Sequence, residues 1–113
     1  NINQGAKGDK MDDRTRIRPR VGAESPWGIV QSVDQFGEGV VFVSTSSHGG
    51  FWVSDEKLGS MPAQFARHGI GWRFHFDWDG WFEEDCEANA VVAAFPDMFP
   101  PDAVTAATEY LNR

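Results

Sequence analysis

Apolar and polar positions alternate strictly along Gly71–Trp78. Trp72, Phe74, Phe76 and Trp78 fall on one side and Arg73, His75 and Asp77 on the other. That two-residue period predicts a strand with a wholly aromatic buried face, and Asp79-Gly80 after it is a turn signal. The stretch Val40-Val41-Phe42-Val43-Ser44-Thr45 is β-branched and aromatic, the strongest strand signal in the chain. Upstream, Trp27 to Val33 reads as a strand carrying Ile29, Val30 and Val33. The turn-rich Asp34–Gly39 links the two into an antiparallel hairpin. Ser46–Gly50 then reads as a loop, and Phe51-Trp52-Val53 as a short returning strand.

Helical signals follow. Ser54-Asp55-Glu56 has a capping hydroxyl and then acids, the composition of a helix start. Pro62–His68 is a short helix with proline at its first position and Gly69 as its stop. Glu83–Phe95 is the strongest helix. Its acids crowd the first turn, and Phe82, Cys86, Ala90 and Ala93/Ala94 share an inner face. Pro96 ends it, and Pro100-Pro101 opens a last helix, Asp102–Leu111. The fold class expected is α+β: a small, mainly antiparallel sheet of three to five strands with two C-terminal helices packed on one face.

At 113 residues there is room for one hydrophobic core. Five Trp and nine Phe allow that core to be built from few residues, because each ring buries a large area. No apolar run approaches a membrane span and no signal peptide is visible. The single cysteine, Cys86, argues against an intramolecular disulfide and fits a reducing compartment. Residues 1–20 hold six basic and three acidic residues, a charge of +3. Residues 21–113 hold four basic and fourteen acidic residues, a charge of −10. Residues 1–23 lack apolar periodicity and read as a flexible basic arm or linker, with 24–113 as a single α+β domain. The acidic domain repels nucleic acid and attracts basic surfaces. Only the arm, residues 7–20, has the charge to contact nucleic acid.

The densest chemistry lies at Trp81-Phe82-Glu83-Glu84-Asp85-Cys86-Glu87, four carboxylates in five positions. Read as a helix start, these acids complement the macrodipole and form a solvated face, with Cys86 in the core. Read as chemistry, Glu83, Glu84 and Asp85 together with His48 are candidates for a metal-dependent hydrolase, with Glu84 or Asp85 as base. That reading requires His48 to converge on the acids. In the His48-Gly49-Gly50 loop, the glycines permit either an anion-binding nest or a strand-ending turn of positive φ. Ser44, Ser46 and Ser47 lie nearby without a nucleophile-elbow pattern. The aromatic set Trp72, Phe74, Phe76, Trp78, Trp81 and Phe82 reads as core, or as a stacking platform that the surrounding negative charge makes unsuitable for nucleic acid.

The words Ser25-Pro26-Trp27-Gly28, Ser44-Thr45-Ser46-Ser47-His48-Gly49-Gly50-Phe51, Met61-Pro62, Trp81–Glu87 and Phe95-Pro96-Asp97 occur in that order. The chain thereby resembles a family of uncharacterised domains found in phage, plasmid and other mobile-element proteins of bacteria. The resemblance spans residues 25–99. It departs from the family pattern in the extra aromatic strand at Trp72–Trp78 and in Ala88-Asn89, where relatives carry an aromatic. It implies cytoplasmic expression from a mobile element, a setting of anti-restriction and anti-CRISPR inhibitors.

The leading expectation is a non-enzymatic acidic interaction domain of that kind, without cofactor or metal. It would present Asp77, Asp79, Glu83, Glu84, Asp85 and Glu87 to a host protein with a basic surface. The alternatives are the small metal-dependent hydrolase centred on His48, Glu84 and Asp85, and an accessory module of a larger mobile-element protein.

Overall fold

Two strands that are apolar on both sides must be covered on both sides, and that requirement organises this fold. The computed structural model describes residues 17–69 and 79–112. Its elements are β1 (Glu24–Ser25), β2 (Gly28–Ile29), β3 (Ser32–Gly37), β4 (Val40–Ser44), β5 (Gly49–Val53), α1 (Asp55–Ser60), α2 (Ala63–Ala66), β6 (Trp81–Glu83), α3 (Ala88–Ala94) and α4 (Pro101–Leu111). A 3-10 turn, Pro96–Met98, lies between the last two helices. The architecture is α+β, as expected. β1 and β2 form a two-stranded antiparallel sheet, and β3-β4-β5-β6 form a four-stranded one, antiparallel throughout.

Strand periodicity sends alternate side chains of β4 and β5 to opposite faces. On one face Val40, Phe51, Val53 and Phe82 meet Met61, Ala90 and Val91, with Phe42, Phe65, Phe95 and Phe99 packed around them. α3 rests on β5 and β6 here, and α4 packs against α3. On the other face Val41, Val43, Trp52 and Trp81 are covered by Val30 and Trp27 from the β1–β2 segment. Pairing of Phe51 with both Phe42 and Phe82, and of Trp52 with both Val41 and Trp81, aligns these rows across the sheet. Cross-strand pairs of this kind each contribute a few tenths to about 1 kcal/mol.

Several local signals are realised. Ser54 caps α1 by accepting the Lys57 N–H. The second short helix spans Ala63–Ala66, with Pro62 as its cap, and the last helix runs Pro101–Leu111. The expected Trp27–Val33 strand is instead two pieces. Ser25-Pro26-Trp27-Gly28 is a tight turn closed by Ser25 Oγ, which donates to the Gly28 carbonyl and accepts the Trp27 N–H. Gly28 takes the φ of 123° that this turn demands. β3 then begins at Ser32 and runs through residues read as a link, with a bulge between Gln35 and Gly37. Of the basic N-terminal segment, Arg18 donates to Gln35 Oε1, and Gly22 and Ala23 exchange backbone hydrogen bonds with Val30. The aromatic strand expected at Trp72–Trp78, the stretch Asn1–Arg16 and Asp77 lie outside the described residues. Among the described residues, no helix is long and apolar enough to cross a membrane.

The largest correction concerns the acidic word. Trp81–Glu83 is strand β6, not the approach to a helix, and α3 begins only at Ala88. Glutamate's helical preference, a few tenths of a kcal/mol, is outweighed here by pairing of Phe82 and Trp81 with the buried β5. In consequence Phe82 is fully buried in the sheet, and Cys86, placed in the core by the helical reading, is exposed.

Phe82→Ala removes the side chain at the junction of sheet and helices and is expected to destabilise the domain by about 3–5 kcal/mol. The check is urea unfolding followed by tryptophan fluorescence.

Candidate functional site

The antiparallel register of β5 and β6 sets Gly50 opposite Glu83. It thereby brings the start of β5 beside the end of β6. The Glu84 N–H donates to the Gly49 carbonyl, 3.1 Å, extending the pairing by one residue. His48 precedes Gly49, and Glu84 and Asp85 follow Glu83, so histidine and acids reach the same rim of the sheet from sequence positions far apart. Suitable ligand atoms of His48, Glu83 and Glu84 all lie within 4.8 Å of one another. His48 Nδ1 is 3.6 Å from Glu84 Oε2, too long for a hydrogen bond but within reach of a shared cation. The histidine side chain is 57% exposed and that of Glu84 35%, so the trio stands at the surface.

The loop carrying His48 is pinned from three sides. Thr45 Oγ1 donates to the His48 carbonyl at 2.7 Å and accepts the backbone N–H groups of Ser47 and His48. Ser47 Oγ donates to the Trp27 carbonyl. The Trp27 ring lies over Gly50, where a Cβ would collide with that ring and with the Phe82 carbonyl, and it meets Trp81 edge-on at 5.7 Å. Such a ring pair adds about 0.5–1.5 kcal/mol beyond its buried area. Gly49 and Gly50 therefore serve neither a nest nor a turn of positive φ: both belong to β5, and neither has positive φ. They are glycines because Phe42, Trp27 and backbone oxygens occupy the space of a side chain.

The acids divide into two groups. Glu87 is buried, 8% exposed, and its Oε1 accepts the Glu83 N–H at 2.9 Å. Glu83 Oε1 accepts the Cys86 N–H at 3.3 Å, and Asn89 Nδ2 donates to the Cys86 carbonyl. These bonds stake down the turn between β6 and α3. Glu84 and Asp85 are left exposed on it, and Asp85 is outside the trio of converging ligand atoms. Asp79 is exposed in the turn before β6. Glu87 is thus turned inward rather than presented, and the acids occupy a strand end and a turn, not the first turn of a helix. Sequence spacing had no means of pointing to Thr45, Ser47 and Trp27 as the residues that hold His48.

A cleft of about 200 Å³ lies elsewhere, lined by Phe65, Arg67, His68, Ala93, Thr108 and Leu111 among others, and by none of the acids of the rim.

Glu87→Ala leaves the part-buried Glu83 N–H without the carboxylate that accepts it and is expected to cost about 1–3 kcal/mol. Gly50→Ala forces Trp27 off the sheet and is expected to cost about 1–3 kcal/mol, while also shifting the His48 resonances. Thermal melts and a two-dimensional NMR spectrum of each variant check both effects.

No curated protein and no solved structure gives a significant match to the chain. A family model described as a domain of unknown function, DUF7007, matches residues 20–113. That span includes the β1–β2 turn, the His48 loop and the acidic turn, and the chain belongs to this family.

Proposed function

We propose that the domain is a non-enzymatic interaction module of a phage or other mobile element. It acts in the bacterial cytoplasm and docks a basic surface of a host protein on the rim of Glu84, Asp85 and His48. The carrying observation is the division of the acids. Glu87 and one oxygen of Glu83 are spent on backbone N–H groups, so Glu84 and Asp85 are held outward on a rigid turn. A backbone fixed in this way loses less freedom on binding than a mobile one. The charge of −10 over residues 21–113 adds a long-range field that favours a cationic partner and speeds its encounter. The resemblance to mobile-element domains favours an inhibitor of a host defence complex, of the anti-CRISPR or anti-restriction type. Such an inhibitor would cover basic residues that otherwise hold nucleic acid. The same module would serve within a larger mobile-element protein.

A second reading, a metal-dependent hydrolase centred on His48, Glu83, Glu84 and Asp85, is favoured by the convergence of the first three. It ranks second because the trio is open to solvent, whereas hydrolytic centres are concave and restrict water around the reacting groups.

Under the docking reading, the paired variant Glu84→Gln/Asp85→Asn weakens binding to a partner captured from host lysate by about tenfold or more, roughly 1.4 kcal/mol. Wild-type affinity also falls steeply between low and moderate salt. Surface plasmon resonance at two ionic strengths is the measurement. A captured partner that ignores both the paired variant and the salt sinks the docking reading. Metal-stimulated turnover of an ester or peptide substrate, lost in Glu84→Gln, would move the second reading to first place.

A further inference from the structure

We infer that His48, Glu83 and Glu84 form a site for one divalent first-row transition cation, of the Zn²⁺ or Mn²⁺ class. The donor set is mixed. Carboxylates alone would suit Mg²⁺ or Ca²⁺, but an imidazole nitrogen in the same cluster shifts preference toward transition metals. The imidazole comes from the β4–β5 turn and the two adjacent carboxylates from the end of β6, so the meeting of His48 with the acids reflects the tertiary fold. Their ligand atoms fall within 4.8 Å of one another. Around an ion bound at about 2.0–2.2 Å, neighbouring donors lie about 3–3.5 Å apart, so small rotations of exposed side chains close the set. The backbone beneath need not move, because the Glu84 N–H is bonded to the Gly49 carbonyl and the His48 carbonyl to Thr45.

Each ligand retains the atom it needs. Glu83 uses Oε1 to accept the Cys86 N–H, and its second oxygen is available for the ion. His48 meets Glu84 through Nδ1, the nitrogen that would turn to the metal. Three protein donors leave coordination positions for water or for a partner's side chain. Asp85, equally acidic and exposed, is not among the converging groups and so separates a coordinated ion from a diffuse counterion cloud. A bound dication would also offset the charge of two carboxylates. If the rim docks a basic partner, the ion and that partner compete. This consequence alone rests on the docking reading; the site itself does not.

The test is calorimetric titration of the purified full chain with ZnCl₂ and MnCl₂, with MgCl₂ and CaCl₂ as comparisons. One equivalent of Zn²⁺ or Mn²⁺ is expected to bind more tightly than Mg²⁺ or Ca²⁺. His48→Ala and Glu84→Gln should each weaken it by about tenfold or more, and Asp85→Asn by less than about twofold. Substoichiometric Mn²⁺ should broaden the ring protons of His48 before those of His68. Glu84→Gln keeps the shape of an exposed side chain, and matching thermal melts confirm its fold. Equal losses in Asp85→Asn and Glu84→Gln, an unaffected His48→Ala, or equal affinity for all four ions would each overturn the assignment. The titration uses the chain alone, and docking is read with chelator present, so failure of one leaves the other standing on its own result.

Discussion

The pairing of β5 with β6 is the constraint on which the rest of this structure depends. β5 is buried along its whole length, so each of its backbone polar groups needs a partner inside the fold. β4 supplies one side and β6 the other. The register that satisfies those groups also sets Phe51 against Phe82 and Trp52 against Trp81, giving each face of the sheet a continuous aromatic row. A slip of one residue would exchange those faces. It would send Phe82 away from the helices and Trp81 away from Trp27. The position of Glu83 opposite Gly50 is fixed by the same register, and with it the approach of Glu84 to His48.

Gly50 shows how packing and site depend on each other. The absence of a side chain there lets Trp27 settle against β5 and Trp81. Seated in this way, Trp27 offers its carbonyl to the Ser47 hydroxyl while the Thr45 hydroxyl holds the His48 carbonyl, and these steady the turn that carries His48. The layer on this face is a two-stranded turn with little core of its own. It gains order from the sheet and returns it as a clamp on one loop. On the opposite face the helices perform the ordinary task of covering Phe51, Val53 and Phe82.

Electrostatically the acidic turn is less uniform than its composition. Burying the Glu87 carboxylate is tolerable because a backbone N–H compensates it. Exposed Glu84 and Asp85 keep their hydration and project charge outward. Surface charges of this kind contribute little to stability.

Much of the architecture was legible locally. The β-branched run at Val40–Ser44, the hydroxyl at Ser54 and the prolines before α2 and α4 each act through neighbours in sequence, and each produced the element expected. Turn chemistry blurred the boundaries: Ser25 closing on Gly28 cut the first strand in two, and the bulge near Gly37 absorbed residues that resemble a loop. The acidic word misled because its spacing suits a helix start, while Trp81 and Phe82 were claimed by an unpaired, buried strand some thirty positions earlier. Gly49 and Gly50 looked like conformational glycines and proved to be spatial ones, a distinction that depends on which ring lies above them. The sequence by itself determined the class of the fold, most of its elements and the sign of its field, because propensity, capping and charge are short-range or additive properties. Only the tertiary structure decided that His48 meets Glu83 and Glu84, that Glu87 turns inward and that Cys86 faces solvent. Those outcomes follow from strand register, which is settled by burial of both faces of the sheet and not by any residue's immediate neighbours.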